Sequence, residues 1–210
     1  MKAEIKQRVE MIRRGEVPEG YKKMKVGIIP VEWEVEAIKN VSEIINGGTP
    51  STINPEYWGD EILWCTPTDI TKCKTKYLFK TERGISKKGL KNSSATLVPK
   101  GSLLLCSRAT IGEVRIASNE ISTNQGFKSL VCKKDCYNEF LYYLISSSHV
   151  KKQLKQKAIG STFLEISKKD ISKFLIVFPS LQEQTAIANI LSTADKAIET
   201  TETLITLKEQ

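Results

Sequence analysis

Apolar residues recur along this chain in short runs broken by Gly, Pro, Asn and Ser, and one long helical stripe follows them. Near the start, Ile5, Val9 and Ile12 fall on one face of a short amphipathic helix predicted over 4–14, with Gly15 as its stop. Gly15–Gly20 (GEVPEG) is turn-like and marks a boundary. From Tyr21 the elements shorten: Glu61–Cys65, Leu103–Cys106 and Phe174–Phe178 read as buried strands, and Val114–Ala117 alternates in strand fashion. Pro99–Gly101 turns the chain into the Leu103 strand. Asn138–Lys157 is predicted helical, capped by Asn138, burying Phe140, Leu141, Leu144 and Ile145, and stopped by Gly160. Its closing lysines suit the negative end of the helix dipole. A short helix is predicted from Ser167, with Asp170 three residues on as the capping acid.

The C-terminus carries the clearest signal. Pro179 blocks backward propagation, Ser180 caps, and Glu183 completes a Ser-x-x-Glu box. Ile187, Ile190, Leu191, Ala194, Ala197, Ile198, Thr201, Leu204 and Ile205 then recur at three- and four-residue steps without a glycine or proline between them. A helix of about 28 residues would be roughly 42 Å long, more than a small domain can cover. The stripe therefore points to an arm that pairs with another helix.

Length and composition narrow the class. The chain has 210 residues, 40% hydrophobic and 27% charged, enough for one sizeable core plus an appendage. Its longest apolar runs, such as Phe174–Phe178, fall far short of the ~20 residues of a membrane span. MKAEIKQRVEMIRRG is too charged for a signal peptide, and five cysteines without framework spacing suit a reducing cytoplasm. The net charge of +8 is unevenly spread. Lys72–Lys134 holds fourteen Lys and Arg against Glu82, Glu113 and Glu120, whereas Leu181–Gln210 sums to −3. A basic body calls for a polyanion, and an acidic tail for another partner.

Catalytic motifs fare poorly. Asn54-Pro55-Glu56-Tyr57 superficially resembles the Asn-Pro-Pro-aromatic motif of adenine-N6 methyltransferases, which holds a flipped base. Here the third residue is Glu, and Gly47-Gly48 lacks the spacing of a nucleoside-cofactor fingerprint, so an Asx-Pro turn is the better reading. There is no Walker sequence; His149 is the only histidine, and Cys132 and Cys136 have no second matching pair. The cysteines read as buried structural thiols. No catalytic set, metal site or cofactor is expected.

What remains is a series of polar, loop-like segments: Gly47–Thr52, Cys65–Asp69, Ser86–Asn92, Ser107–Gly112, Ser122–Gly126 and Gly160–Thr162. Hydroxyl, amide and cationic groups on loops are what phosphates and base edges require. On a basic body without catalysis, they favour sequence-specific DNA binding.

In this order, these segments resemble the specificity (S) subunit of type I restriction–modification systems. The matching stretches are GYKKMKVGIIPVEWEV, INGGTPSTINPEYWGDEILWCTPTDI, GISKKGLKNSSATLVPKGSLLLCSRATIG, ISTNQGF, NEFLYY, GSTFLEISKKDI and the run from Phe178 to Gln210. The resemblance spans nearly everything from Tyr21. It implies an α+β chain: a globular mixed α/β target-recognition domain that reads half of a bipartite site, then a long coiled-coil helix that sets spacing and docks methyltransferase subunits. The expected division is an N-terminal helical segment at 1–20, recognition domain at 21–179 and spacer or dimerisation helix at 180–210. The role implied is non-catalytic, on double-stranded DNA in the cytoplasm, beside methyltransferase and restriction subunits.

Lys74, Lys76, Lys87, Lys88 and Lys91 are expected at phosphates, and Thr52, Thr68, Arg108, Asn124, Gln125 and Thr162 near base edges. Asn124 and Gln125 could equally brace loops through buried hydrogen bonds, while Trp58, Trp64 and Phe127 are expected in the core. The family pattern has two recognition domains and two long helices in one polypeptide, whereas this chain has one of each. It is either a natural half-length subunit or a piece ending inside the helix. An antiparallel homodimer through Ile187, Ile190, Leu191, Ala194, Ile198, Leu204 and Ile205 is expected, reading an interrupted palindrome. Two rival readings stand beside it. One is an adenine methyltransferase-like enzyme, testable by S-adenosylmethionine binding; the other is a coiled-coil scaffold that ignores DNA.

Overall fold

The structure, a computed structural model, describes residues 2–160 and 164–208. Helix α1 (Lys2–Arg13) leads to a hairpin of β1 (Tyr21–Met24) and β2 (Gly27–Pro30). Then come β3 (Glu34–Ala37), a single turn α2 (Ile38–Val41) and β4 (Ser42–Asn46). A 3-10 turn at Pro55–Tyr57 feeds β5 (Trp58–Cys65), α3 (Pro67–Lys72), β6 (Tyr77–Leu78), β7 (Arg83–Ile85) and α4 (Lys87–Lys91). Five strands follow: β8 (Leu97–Val98), β9 (Leu103–Cys106), β10 (Val114–Ala117), β11 (Ile121–Thr123) and β12 (Phe127–Cys132). The chain finishes with α5 (Asn138–Ser146), α6 (Ser148–Gln156), α7 (Lys168–Ser172), β13 (Leu175–Phe178) and α8 (Leu181–Lys208).

Two sheets and a helical layer stack into the expected α+β arrangement. The larger sheet has the order β4-β12-β9-β10-β6 and the smaller β7-β5-β11-β8. Strand β9 explains the stacking, because all four of its residues are buried. Leu103 and Leu105 join a core with Ile145, Leu154 and Ile171 from the helices. Leu104 and Cys106 point the other way, into a core with Cys65, Val98 and Ile121 of the smaller sheet. Each such side chain contributes about 1.5–3 kcal/mol by leaving water. A third, smaller cluster of Trp64, Ile85 and Ala95 covers the far face of the smaller sheet.

Several local readings need correction. The predicted helix over Asn138–Lys157 is two helices, because Ser147 is extended (ψ 141°) and restarts the chain as a cap. Its hydroxyl donates to Leu144 O at 2.7 Å and accepts from Val150 N at 3.3 Å. Tyr137, not Asn138, holds the first cap position; Asn138 instead donates to Gly101 O at 2.9 Å. The second helix ends at Gln156, before Gly160. Strand β13 is an edge ribbon with β3, so Ile176 is buried and Leu175 exposed. The Asn54 side chain makes no cap, so the NPEY segment is a 3-10 turn whose Tyr57 N donates to Asn54 O at 3.1 Å. The Ser167 and Ser180 caps form as read: Ser167 Oγ accepts from Asp170 N, and Ser180 Oγ from Glu183 N. Gly15 takes a φ of +78°, the left-handed stop of α1.

The N-terminal half of α8 lies on the body and the remainder projects. Gln184 and Ala188 are buried, Gln184 accepting from Tyr137 N at 2.8 Å and donating to Asp135 O and Pro179 O. The apolar stripe sits roughly a quarter turn around the helix from this face. Ile187 is half-buried, and Ile190, Leu191, Ala194, Ile198, Leu204 and Ile205 are exposed. No helix among the described residues is long and apolar enough to cross a membrane.

Candidate nucleic-acid interface

Strand topology gathers four of the six polar segments at one rim. Because β12 is antiparallel to β4 and β9, its start meets the ends of both: Lys128 lies opposite Asn46, and Phe127 opposite Cys106. Because β11 is parallel to β5, Thr123 lies beside Cys65. The loops leaving β4, β5, β9 and β11 therefore emerge together.

Hydrogen bonds weld these loops. Gly48 N donates to Thr123 O at 2.8 Å, and Trp64 Nε1 donates to Gly48 O at 3.0 Å. A side chain at Gly48 would overlap the backbone of Ser94 and Ala95, so this close approach needs glycine. The Thr49 hydroxyl meets Gln125 Oε1. Asn124 Oδ1 accepts from Gly126 N at 2.9 Å while its own N–H donates to Cys65 O at 3.0 Å. Ser107 N and Oγ both donate to Gly126 O, at 2.7 and 3.0 Å. Asp69 accepts from Thr66 N and Oγ1 at 2.8 and 2.6 Å and from Glu82 N at 2.8 Å, fixing the loop after β5. Asn124 thus braces the loops, while Thr52, Thr68, Arg108 and Gln125 stay exposed on the rim.

The lysines divide. Lys91 and Lys74 are exposed and carry no ion pair among the described residues. Lys87 and Lys88 extend from α4 beside the smaller sheet, pairing with Glu61 (3.7 Å) and Glu56. Lys76 corrects the expectation. Its Nζ lies 2.5 Å from Glu139 Oε2 and 2.8 Å from Ser192 Oγ, with both ion-pair side chains 15% exposed. Burial alone would raise the Glu139 pKa, but hydrogen bonds from Lys76 and Tyr77 hold it below the ordinary carboxylate value. Lys76 fastens the C-terminal helix and is not on offer to a phosphate. Thr162 lies outside the described residues.

Sequence reasoning missed Glu165, Lys128 and Asn46. Together with Gly47, Arg108, Gln125 and Lys168 they line an open polar cleft of about 560 Å³. Arg108 Nε donates to Glu165 Oε2 at 2.7 Å and Lys128 Nζ to Oε1 at 3.2 Å. Burial would raise the Glu165 pKa, yet its hydrogen bonds to Arg108 and Lys128 lower it. The available signal was Lys128 itself, a cation in the second position of the otherwise apolar or small FKSLVC strand.

The five cysteines are free thiols. Cys65 and Cys106 sit between the sheets, and burial pushes the Cys106 thiol up to about 11 and Cys65 further still. They fill space there, as expected of structural thiols.

Residues 30–209 match the family model described as the type I restriction modification DNA specificity domain. The type I restriction enzyme MjaIX specificity subunit of Methanocaldococcus jannaschii is 41% identical over 179 residues, covering 85% of this chain and 41% of that relative. The HindI specificity subunit of Haemophilus influenzae is 30% identical over 153 residues, covering 72% and 33% respectively. The chain thus spans less than half the length of these relatives. Among solved structures, the HsdS subunit from Thermoanaerobacter tengcongensis shares the fold with a TM-score of 0.64 at 19% identity, covering 95% of this chain and 48% of that one. The S subunit from M. genitalium gives a TM-score of 0.57 at 21% identity, with 83% and 42% covered. By sequence, and in agreement with the resemblance carried by its loops and terminal helix, this chain belongs to the family of type I restriction–modification specificity subunits.

Proposed function

We propose that this chain is a non-catalytic DNA-reading subunit that recognises half of a bipartite duplex site in the cytoplasm. The observation that carries the reading is the convergence of four polar loops at one rim, exposing Thr52, Thr68, Arg108 and Gln125. Lys87, Lys88 and Lys91 stand on α4, against the turn that leads into β5, and would contact phosphates, as would Lys74 from its exposed loop. Lys87 and Lys88 would exchange surface ion pairs, each worth little in water, for phosphate contacts. Fluorescence anisotropy with duplexes selected from a random pool tests this. The expected result is a sequence motif bound far more tightly than bulk DNA, and equal affinity for all duplexes would refute it.

The α8 stripe supports a second part of the reading. Ile190, Ile198, Leu204 and Ile205 are 70%, 57%, 55% and 51% exposed on a 28-residue helix. A second copy, antiparallel, would cover them and place two recognition domains on an interrupted palindrome. The same helices would dock methyltransferase subunits and, where the system has one, a restriction subunit. The methyltransferase-like alternative loses its motif, since Asn54–Tyr57 is the turn into β5 and Tyr57 O accepts from Ser86 N. The scaffold alternative leaves the loop convergence without a purpose.

A further inference from the structure

The cleft beside Arg108 contains one carboxylate held by two cations. Glu165 is fixed by backbone: its N–H and C=O pair with Ile159 at 3.1 and 2.9 Å, and Ile166 N donates to Ser107 O at 3.0 Å. Its side chain therefore stands beside the loop that carries Arg108, with which it forms an isolated antiparallel bridge. Lys128 reaches the same carboxylate from the start of β12, an interior strand of the larger sheet, with 9% of its side chain exposed.

The way Arg108 binds Glu165 decides what it can still do. Nε donates to Oε2 at 2.7 Å, and Nη2 lies 2.7 Å from that same oxygen. This is the side-on edge of the guanidinium. Five N–H groups are arranged in a rigid fork, so side-on anchoring leaves the end-on pair, Nη1 and the outer Nη2 hydrogen, available. Among the described residues, Nη1 has no hydrogen-bond partner. An end-on guanidinium matches the O6 and N7 acceptors of guanine in the major groove. The cleft agrees in charge, since its three cations, Arg108, Lys128 and Lys168, outnumber its two carboxylates, Glu165 and Asp170. The next residue, Ala109, takes a φ of +55°, rare for a residue with a side chain, so the loop presenting Arg108 is held away from its relaxed shape.

We infer that Arg108 reads a guanine with the free end of its guanidinium, and that Glu165, buttressed by Lys128, is the positioning residue that aims it. The inference rests on the DNA-reading function proposed above. Without Glu165 the arginine would have to be ordered at the moment of binding, and the discrimination it delivers would shrink.

The test is selection of bound duplexes from a random-sequence pool by the wild-type chain and by Arg108→Ala, Arg108→Lys and Glu165→Gln. The wild type should enrich a motif containing an invariant G·C pair. Arg108→Ala should flatten that position alone, and Arg108→Lys should do the same because a point charge cannot make the bidentate contact. Glu165→Gln should weaken the preference at the same position by about tenfold, leaving the other positions intact. Arg108 is 44% exposed in its side chain, so its variants keep the inference testable even if Glu165→Gln unfolds. A wild-type motif that survives both Arg108 variants overturns the inference while leaving DNA reading in place. Uniform loss at every position in Glu165→Gln would make that residue a mere loop brace. A wild type that enriches nothing overturns DNA reading itself, and this inference with it.

Discussion

Tyr143 on α5 donates a 2.7 Å hydrogen bond to Asp195 Oδ2, halfway along the C-terminal helix. Together with Lys76, which reaches both Glu139 and Ser192, it fixes the direction in which α8 leaves the body. A coiled-coil arm can set the distance between two DNA-reading units only if its root is held in this way. Removing Lys76 strands the Glu139 carboxylate, leaving it the Tyr77 hydroxyl. Lys76→Met should therefore cost about 1–3 kcal/mol, and Tyr143→Phe about 1 kcal/mol. Lys74→Met, two residues away but exposed, should stay within about 0.5 kcal/mol. Urea midpoints check all three.

Acid should loosen the same contacts. Glu139 and Glu165 have native pKa values below the ordinary carboxylate value. Protons therefore bind the unfolded chain more readily, and the stability these groups contribute is complete above the unfolded-state value of about 4.3. It is lost as pH falls through the lower native values. The urea midpoint should drop between pH 5 and pH 3, at roughly the unperturbed glutamate range, and Lys76→Met should show a shallower drop.

Gly48 should tolerate no side chain. A Cβ there overlaps the backbone of Ser94 and Ala95, and relieving it would shift the loop away from Thr123. Gly48→Ala should cost about 1–3 kcal/mol in thermal or urea unfolding, and should weaken DNA binding through the displaced loop.

Charges in the α8 stripe should separate association from folding. Ile198→Glu with Ile205→Glu replaces two exposed side chains that touch no core. The unfolding midpoint of the monomeric body should hold, while light scattering at tens of micromolar should change from dimer to monomer, in keeping with about 1.5–3 kcal/mol lost per uncovered apolar side chain. A wild-type chain that is already monomeric would remove the dimer from the account.

Local signals were legible in the sequence, and non-local ones were not. The Ser167–Asp170 and Ser180–Glu183 caps, the buried LLLC strand and the long terminal helix each depend on residues a few positions apart. The break at Ser147 was hidden because the apolar spacing continues through it and only the hydroxyl's own bonds reveal a restart. Lys76 was misread because charge in a sequence cannot distinguish a solvated cation from one paired across 63 residues. The Arg108–Glu165–Lys128 group was out of reach for the same reason, since its members come from three segments brought together by β9–β12 pairing and an isolated bridge. The family resemblance located the loops, and the topology showed that four of them share a rim.

The most direct measurement is the affinity of the wild-type chain for its selected duplex, for a copy altered at two base pairs of the motif, and for each across a salt series. Each mismatch should cost about 1–3 kcal/mol, so the altered duplex should bind about 30-fold or more weaker. Log affinity for both should fall linearly with log salt, and Lys91→Ala should reduce the slope by about 0.9 if it meets one phosphate. Equal affinity for the two duplexes, or a flat salt response, would contradict a DNA-reading rim.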